Sequence, residues 1–524
     1  MGYSYHTARN LSQRAQSKKM KKLILFTLTL IATVIGSKAQ TITERQELTG
    51  ALGYGEYAPF WHMANRQGLG SEKTSMGYAR VGVGGNHPFS KSGIVLDWDF
   101  DMVAGGYMAS TVFVQQANMD LTWRQLRLSI GQKERWGELM PPRLTSGTLV
   151  ESGNARPIPQ VRLELHDYCN IPGTGGWLAI KGHLAYGRFT DGNWQEDFTA
   201  QDKMHTKDVL YHSKEGFMRF GNASKFPLTA EIGLHMVTQF GGTIYNRFGA
   251  GTTLYAPSRF KDYLLAFIPL KGDEQYIGAD QVNVAGNVLG SWKGAITWHS
   301  NKWVLKLNYD HVFEDHSQMF WEYGLWTEQL VGLELSLKEF KWIKAATVEY
   351  FNLKNQSGPI YNDSNPTFPD QISCTDHNYW HHTYGGWFNY GMMIGTPLCT
   401  SPIYNKDNTL GIYNTRMEAF HMGIEGCLLP WLDYRVLLTH SNNWGTYDKP
   451  FKDIKKNTSG LVEFTFNPNI PGNWSIVTSF AFDKGNLYGN NHGALLTIKR
   501  SGRYKIERGT KNGFYNDYRL KFND

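Results

Sequence analysis

Apolar and polar residues alternate along most of this chain. From Ile94 to Met102 the sequence reads Ile, Val, Leu, Asp, Trp, Asp, Phe, Asp, Met. The even positions are apolar, and Asp97, Asp99 and Asp101 face the other way. From Trp303 the pattern returns, with Leu305, Leu307 and Tyr309 against Lys306, Asn308 and Asp310. Leu333, Leu335 and Leu337 oppose Glu334 and Ser336, and Val462, Phe464 and Phe466 oppose Glu463 and Thr465. A strand points successive side chains to opposite faces, so each segment has one oily and one charged face. In a soluble sandwich the oily face meets a second sheet. In an outer-membrane barrel it meets lipid, and the charged face lines a lumen. The segments have the roughly 9–11 residues of a tilted membrane strand. No linker divides them. The pattern therefore predicts an all-β fold, one transmembrane antiparallel β-barrel of roughly 16–18 strands over residues 40–524, with long extracellular loops.

Asp97, Asp99, Asp101, Lys306, Asp310 and Glu334 are expected to line the lumen. Three stretches depart from alternation. Asp208–Gly221, Pro257–Phe267 and Asp280–Trp292 carry helical spacings that predict a small helical group, with blurred strands as the alternative. Residues 353–408 form the longest irregular stretch, rich in Asn, Asp, Pro, Gly and aromatics. Its length predicts a functional outer loop folded over the pore, with a strand pair near Gly385–Ile394.

The amino terminus explains the charge. Lys18, Lys19, Lys21 and Lys22 precede an apolar run from Leu23 to Gly36, and Ser37-Lys38-Ala39 offers a small-x-small cleavage site. Residues 1–39 read as a secretory signal, within which residues 1–19 suggest a misassigned start. Seven of the 53 Lys and Arg lie there, leaving 46 bases against 46 acids. The +7 charge thus belongs to the leader, and a nucleic-acid role based on charge fails. Mean hydropathy is −0.42, against a helical membrane protein. Of the four cysteines, Cys374 and Cys399 bracket the long loop and form the expected disulfide pair, which an exported protein permits.

Ala58-Pro59-Phe60-Trp61 with Ala64-Asn65-Arg66-Gln67-Gly68, Ser152-Gly153-Asn154-Ala155-Arg156-Pro157-Ile158-Pro159-Gln160-Val161, and Asp376-His377-Asn378-Tyr379 to His381-His382 follow one another in order. So do Gly395-Thr396-Pro397-Leu398 and Thr439-His440-Ser441 to Trp444-Gly445-Thr446-Tyr447. In these residues the chain resembles the Wzi capsule-assembly family, in its Bacteroidetes branch, through nearly all of the mature length. The resemblance implies a barrel with a helical element on the periplasmic side. It also implies a lectin-like role, holding capsular polysaccharide or exopolysaccharide at the cell surface.

A surface lectin needs flat aromatic faces and polar groups for sugar hydroxyls. Asp376, Asn378, Tyr379, Trp380, His381, His382 and Trp387 are the candidates for polysaccharide binding, with packing of the loop against itself as the alternative. Adjacent histidines seldom converge on one ion, so no metal is expected at His381, His382 and Asp376. The carboxylates of Asp97, Asp99 and Asp101 share one strand face and read as lumen residues rather than a glycosidase pair. Two prolines make Arg156-Pro157-Ile158-Pro159 a conformational device. No catalytic residue and no cofactor are expected. The expected partners are polysaccharide and outer-membrane lipid, with no nucleic acid, for a monomer in the bacterial outer membrane. The competing readings are an outer-membrane channel for small solutes and a secreted carbohydrate-active enzyme.

Overall fold

The computed structural model describes residues 40–89, 92–281, 284–314, 318–321, 324–356, 360–362, 372–374, 378–508 and 518–522. The expected leader lies outside them. Eighteen antiparallel strands close into one barrel. They are β1 (Gln40–Tyr54), β2 (Ser75–Phe89), β3 (Ile94–Gly106), β4 (Val112–Trp123), β5 (Leu126–Gln132) and β6 (Gln160–Asn170). β7 (Leu178–Arg188), β8 (Leu210–Phe220), β9 (Leu228–Phe240), β10 (Asn287–His299), β11 (Trp303–Glu314) and β12 (Gln329–Leu337) continue the wall. β13 (Ala345–Asn352), β14 (Arg416–Leu429), β15 (Leu432–Gly445), β16 (Pro450–Phe466), β17 (Trp474–Gly485) and β18 (Asn491–Arg508) complete it. Each pairs with its chain neighbour, and β18 closes on β1 from Gln40↔Ile506 to Tyr54↔His492. The full register leaves the wall without an open edge, the condition for sheet in hydrocarbon.

Burial is inverted relative to a soluble protein. Leu48, Leu121, Leu163, Ile232, Val348 and Phe480 are among the apolar side chains exposed on the outer wall. Asp101, Ser129, Ser213, Asp310, Thr439 and Ser479, on inward positions, are buried. The apolar belt faces outward as the alternation requires, and many inward polar side chains are covered by other protein groups. Among the described residues no helix is long and apolar enough to cross a membrane, which says nothing of strands.

Turns of seven residues or fewer join the strands at the end where the chain enters β1, and every connection of more than ten residues joins them at the other, together with three short turns. In outer-membrane barrels the long loops stand outside. The helices α1 (Phe60–Met63), α2 (Gly192–Phe198) and α3 (Phe260–Phe267) all lie in long connections. Among the described residues no helix lies in the short turns, and residues 509–517, at that end, lie outside them. Of the three helix-like stretches, Pro257–Phe267 holds α3. Asp208–Gly221 is β8, whose apparent helical period came from polar residues on its outer face. Asp280–Trp292 is a short helical turn at Gly278–Gln281 followed by β10.

Candidate functional site

The connection between β5 and β6, residues 133–159, plunges through the barrel. At the short-turn end of the lumen, Arg143 pairs with Glu425 at 2.7 Å and Lys181 with Glu138 at 2.8 Å. Along its course, wall side chains satisfy the backbone of this irregular segment. Lys306 donates to the Leu139 carbonyl at 2.6 Å, Arg435 to that of Arg143 at 3.0 Å, and His421 Nε2 to that of Leu144 at 2.6 Å. Glu349 accepts the Ser146 N–H at 2.8 Å, and Asp310 accepts that of Leu149 at 3.0 Å. Irregular backbone at membrane depth persists only when protein supplies its hydrogen bonds.

The expected lumen residues meet this filling or neighbouring wall side chains. Lys306 and Asp310 are just placed. Asp99 and Asp101 accept from Arg45 at 2.6 and 3.0 Å, and Asp97 accepts from Asn86 at 2.6 Å. Glu334 lies across from Lys306 in the β11–β12 register.

The long connection between β13 and β14 sinks onto the same segment instead of only covering the mouth. The expected strand pair is there, Phe388–Asn389 with Met392–Met393. Tyr379 is fully buried and donates to the Leu149 carbonyl at 2.9 Å. Trp387 is fully buried and donates from Nε1 to the Val150 carbonyl at 2.7 Å. Asn378 is buried and donates to Glu328 at 3.0 Å. These three candidates hold the filling together and offer no face to a ligand in this arrangement. Trp380 is 38 % exposed. Asp376 lies outside the described residues. So does the side chain of Cys374, and with it the expected pairing to Cys399, which is buried.

His381 and His382 meet Asp280 from the β9–β10 connection, with Nε2 atoms 3.2 and 3.4 Å from one carboxylate oxygen. The Thr383 N–H donates to His381 Nδ1 at 3.1 Å, so the His381 proton sits on Nε2. His382 donates from Nε2 to the Ile277 carbonyl at 3.2 Å, and burial with the neighbouring His381 lowers its pKa. Both Nε2 atoms carry protons, so the trio is a hydrogen-bond cluster rather than a set of open metal ligands.

A second trio, Glu151, His183 and His235, lines a cavity of about 70 Å³ in the lumen. Arg162 donates to His183 Nδ1 at 2.8 Å and Lys293 to His235 Nδ1 at 3.3 Å. The Nε2 protons then point to Ser213 Oγ, 2.8 Å away, and to Glu151, 3.0 Å away. With two cations in the cluster, the donor set does not suit a metal ion.

The Ser152–Val161 motif joins three connections. Asn154 accepts from the Asn65 N–H at 3.1 Å and donates to the Met393 carbonyl at 2.8 Å. Arg156 is buried with its guanidinium 3.7 Å from the Phe113 ring centre and 3.8 Å from that of Tyr390, and Asn389 donates to its carbonyl at 2.8 Å. Gly68, at φ +73°, passes so close that a Cβ there would meet the Arg156 nitrogen at 2.7 Å.

At the long-loop mouth, over the outer ends of β13–β16, cations lie on aromatic rings. The Arg416 guanidinium is 3.6 Å from the Tyr447 ring centre, Lys354 Nζ is 4.6 Å from Trp444, and Lys449 Nζ is 4.4 Å from Tyr413. Tyr447 donates to the Asn355 carbonyl at 2.8 Å, which fixes the ring. This half-exposed rim combines aromatic edges, carbonyls and positive charge, a surface chemistry suited to acidic sugars. The Trp444–Tyr447 motif marks half of it. Lys354 and Arg416 come from distant segments, and only strand pairing brings them together.

No protein-family model matches the chain, and no curated protein matches it. Solved barrels do. One is Wzi of Escherichia coli, described as an outer membrane protein involved in group 1 capsule assembly and a carbohydrate-binding β-barrel. It is 12% identical with a TM-score of 0.51, covering 91% of this chain and 87% of that one. Another is OccD3 (OpdP) of Pseudomonas aeruginosa, 10% identical with a TM-score of 0.44, covering 88% of this chain and 91% of that one. At such identity the likeness shows a shared fold, that of outer-membrane barrels, and nothing finer.

Proposed function

We propose that this protein resides in the bacterial outer membrane, after export through a cleaved leader at residues 1–39, and retains capsular polysaccharide or exopolysaccharide at the cell surface as a non-enzymatic, monomeric anchor. One observation carries the reading against a solute channel. The described residues 133–159 and 378–414 cross and narrow the lumen, leaving a space of about 70 Å³ beside Glu151 and one of about 460 Å³ toward the short-turn end. A long polymer is then left the long-loop surface, where Arg416, Tyr447, Lys354, Trp444, Lys449 and Tyr413 form the rim and Trp380 stands exposed. The E. coli Wzi barrel, of the same fold, is described as carbohydrate-binding, and the ordered motifs of the sequence point the same way. His381 and His382 brace the loop that presents Trp380.

The test has two arms. Purified barrel in planar bilayers is expected to show no large steady conductance. Cells carrying Arg416→Ala with Tyr447→Ala are expected to shed polysaccharide into the medium while the barrel still shifts on an unboiled gel. A large open-channel current, together with normal retention in a deletion strain, refutes the anchor and leaves the solute channel.

A further inference from the structure

One hydrophobic cluster lies on the wrong side of the wall. Met236, Val288 and Phe313 project outward from β9, β10 and β11, where the register pairs Met236 and Phe313 each with Gly290. They are nonetheless buried, packed with Val284 from the β9–β10 connection and with Met319 from the β11–β12 connection. Two long loops therefore fold down over the outside of the barrel.

The wall beneath explains why. On β8, Met218 and Phe220 are exposed and face outward, so His212 and Lys214, at the same parity, face outward too. Bare, they would interrupt the apolar belt with polar groups. The α3 segment covers them. Lys214 donates to the Phe267 carbonyl at the end of α3, Tyr186 donates to the Tyr263 carbonyl at 2.8 Å, and Thr238 donates to that of Ala266 at 3.4 Å. His212 is buried with its ring 6.0 Å from that of Phe267. On β11, outward-facing His311 is likewise buried beneath Trp321, ring centres 5.3 Å apart.

The outer surface of this apron is apolar. Phe260, Leu264 and Phe267 share one stripe of α3 by their i, i+4, i+7 spacing and are 80, 51 and 41 % exposed. Ile268 and Leu270 extend the stripe, and Trp326 stands exposed on the neighbouring loop. On the opposite side of α3, Asp262 and Ala266 are buried, with Asp262 held by Arg259 and Tyr276. The exposed stripe continues the lipid-facing belt below it, where the wall itself turns polar.

We propose that the apron formed by residues 259–271, 318–321 and 324–326 is embedded in the outer leaflet, with lipid acyl chains against Phe260, Leu264, Phe267, Ile268, Leu270 and Trp326. Continuity with the belt selects the occupant. An amphipathic helix of this kind settles at the headgroup–acyl boundary, which also suits Trp326 and the basic groups of Arg259 and Lys261 at its start. The apron thus replaces several residues of lipid-facing wall on β8–β11 and fixes how deep the barrel sits. The inference needs a bilayer around the barrel, not polysaccharide.

The test uses the full chain in proteoliposomes made with a phospholipid carrying a diazirine near the middle of one acyl chain. After photolysis, adducts are mapped by mass spectrometry. The expected result is labelling of residues 260–270 comparable with that of the β17 belt segment 476–482, and no labelling of the outer turn at 446–450. Labelling of the belt without residues 260–270 overturns the proposal, whether water or a second copy covers the stripe. Absence of label from both segments overturns the bilayer placement as well. A Leu264→Asp variant is expected to lose label from its own segment and keep it on the belt. Unchanged labelling there also counts against the proposal.

Discussion

Asp191 offers a pH test of how the outer connections are clamped. It is buried just ahead of α2, and its Oδ2 accepts from the Tyr390 N–H at 3.0 Å and from Gln195 at 3.1 Å. Burial pushes its carboxyl from 3.8 up to about 6, against the opposing pull of those hydrogen bonds and of Arg156. A raised folded-state pKa means the folded form holds its proton more tightly than the unfolded form. The extra stability is therefore complete below about pH 4 and is lost as pH rises through about 6. Two pH units correspond to about 3 kcal/mol, roughly a hundredfold in an opening equilibrium. Asp191→Asn keeps a carbonyl acceptor for Tyr390 and cannot ionise. Hydrogen exchange of segments 189–199 and 387–393 in micelles, corrected for intrinsic rates, should show wild-type protection falling between about pH 4 and pH 7. The Asn variant should stay flat and be better protected above pH 6. Wild-type protection that does not change over this window, or a variant that falls in parallel, refutes the argument.

Three further outcomes follow from the same packing. Trp387→Ala removes a fully buried indole and its bond to the Val150 carbonyl, and should cost the filling about 3–5 kcal/mol, seen as faster trypsin cleavage within 133–159. Unchanged cleavage would mean the tryptophan is not packed as described. Gly68→Ala forces a left-handed residue with its Cβ 2.7 Å from the Arg156 nitrogen, and should cost about 1–3 kcal/mol, read as an earlier melting step ahead of barrel unfolding. Asp101→Ala removes a buried carboxylate shared by Arg45 and Arg80, which keep Asp99 and Glu134 as partners. It should lower the temperature at which the unboiled gel band shifts, by about 1–2 kcal/mol of destabilisation, and an unmoved shift temperature would count against this pairing.

The wall was legible because its signal is local. Ile94–Met102 and Trp303–Phe313 carry a period of two within one strand, and the structure places them on β3 and β11 with the expected faces inward. The filling was not legible, because its signal is distributed. Nothing in Leu139, Ser146 or Leu149 announces that Lys306, Glu349 and Asp310 will bond their backbone, and the partners lie far apart in sequence. The long loop illustrates the same limit. Tyr379 and Trp387 read equally as ligand faces or as packing, and only the carbonyls of Leu149 and Val150 decide for packing. His212 and Lys214 misled differently. Polar residues on a lipid-side face blurred the strand period of β8 into a helical one, and their cover comes from residues 260–267, some fifty positions on.

That distribution also bears on what the barrel can do. The five wall side chains Lys306, Arg435, His421, Glu349 and Asp310 each hold one backbone group of residues 139–149. In an open state water would replace them, so each bond counts for its net worth of about 1 kcal/mol. Together they hold the filling by about 5 kcal/mol before any contribution from the buried Leu144, Leu149, Tyr379 and Trp387. A state disfavoured by that much is populated below about one part in a thousand. A solute small enough for the lumen would have to supply that difference through its own contacts to pass the stretch where Glu151, His183 and His235 line a space of about 70 Å³. A polymer bound at the rim of Arg416 and Tyr447 meets no such barrier, because that surface is already formed when the lumen is closed. The wall's polar face gives its hydrogen bonds to the chain's own loops, and the rim of Arg416 and Tyr447 is formed in that same arrangement.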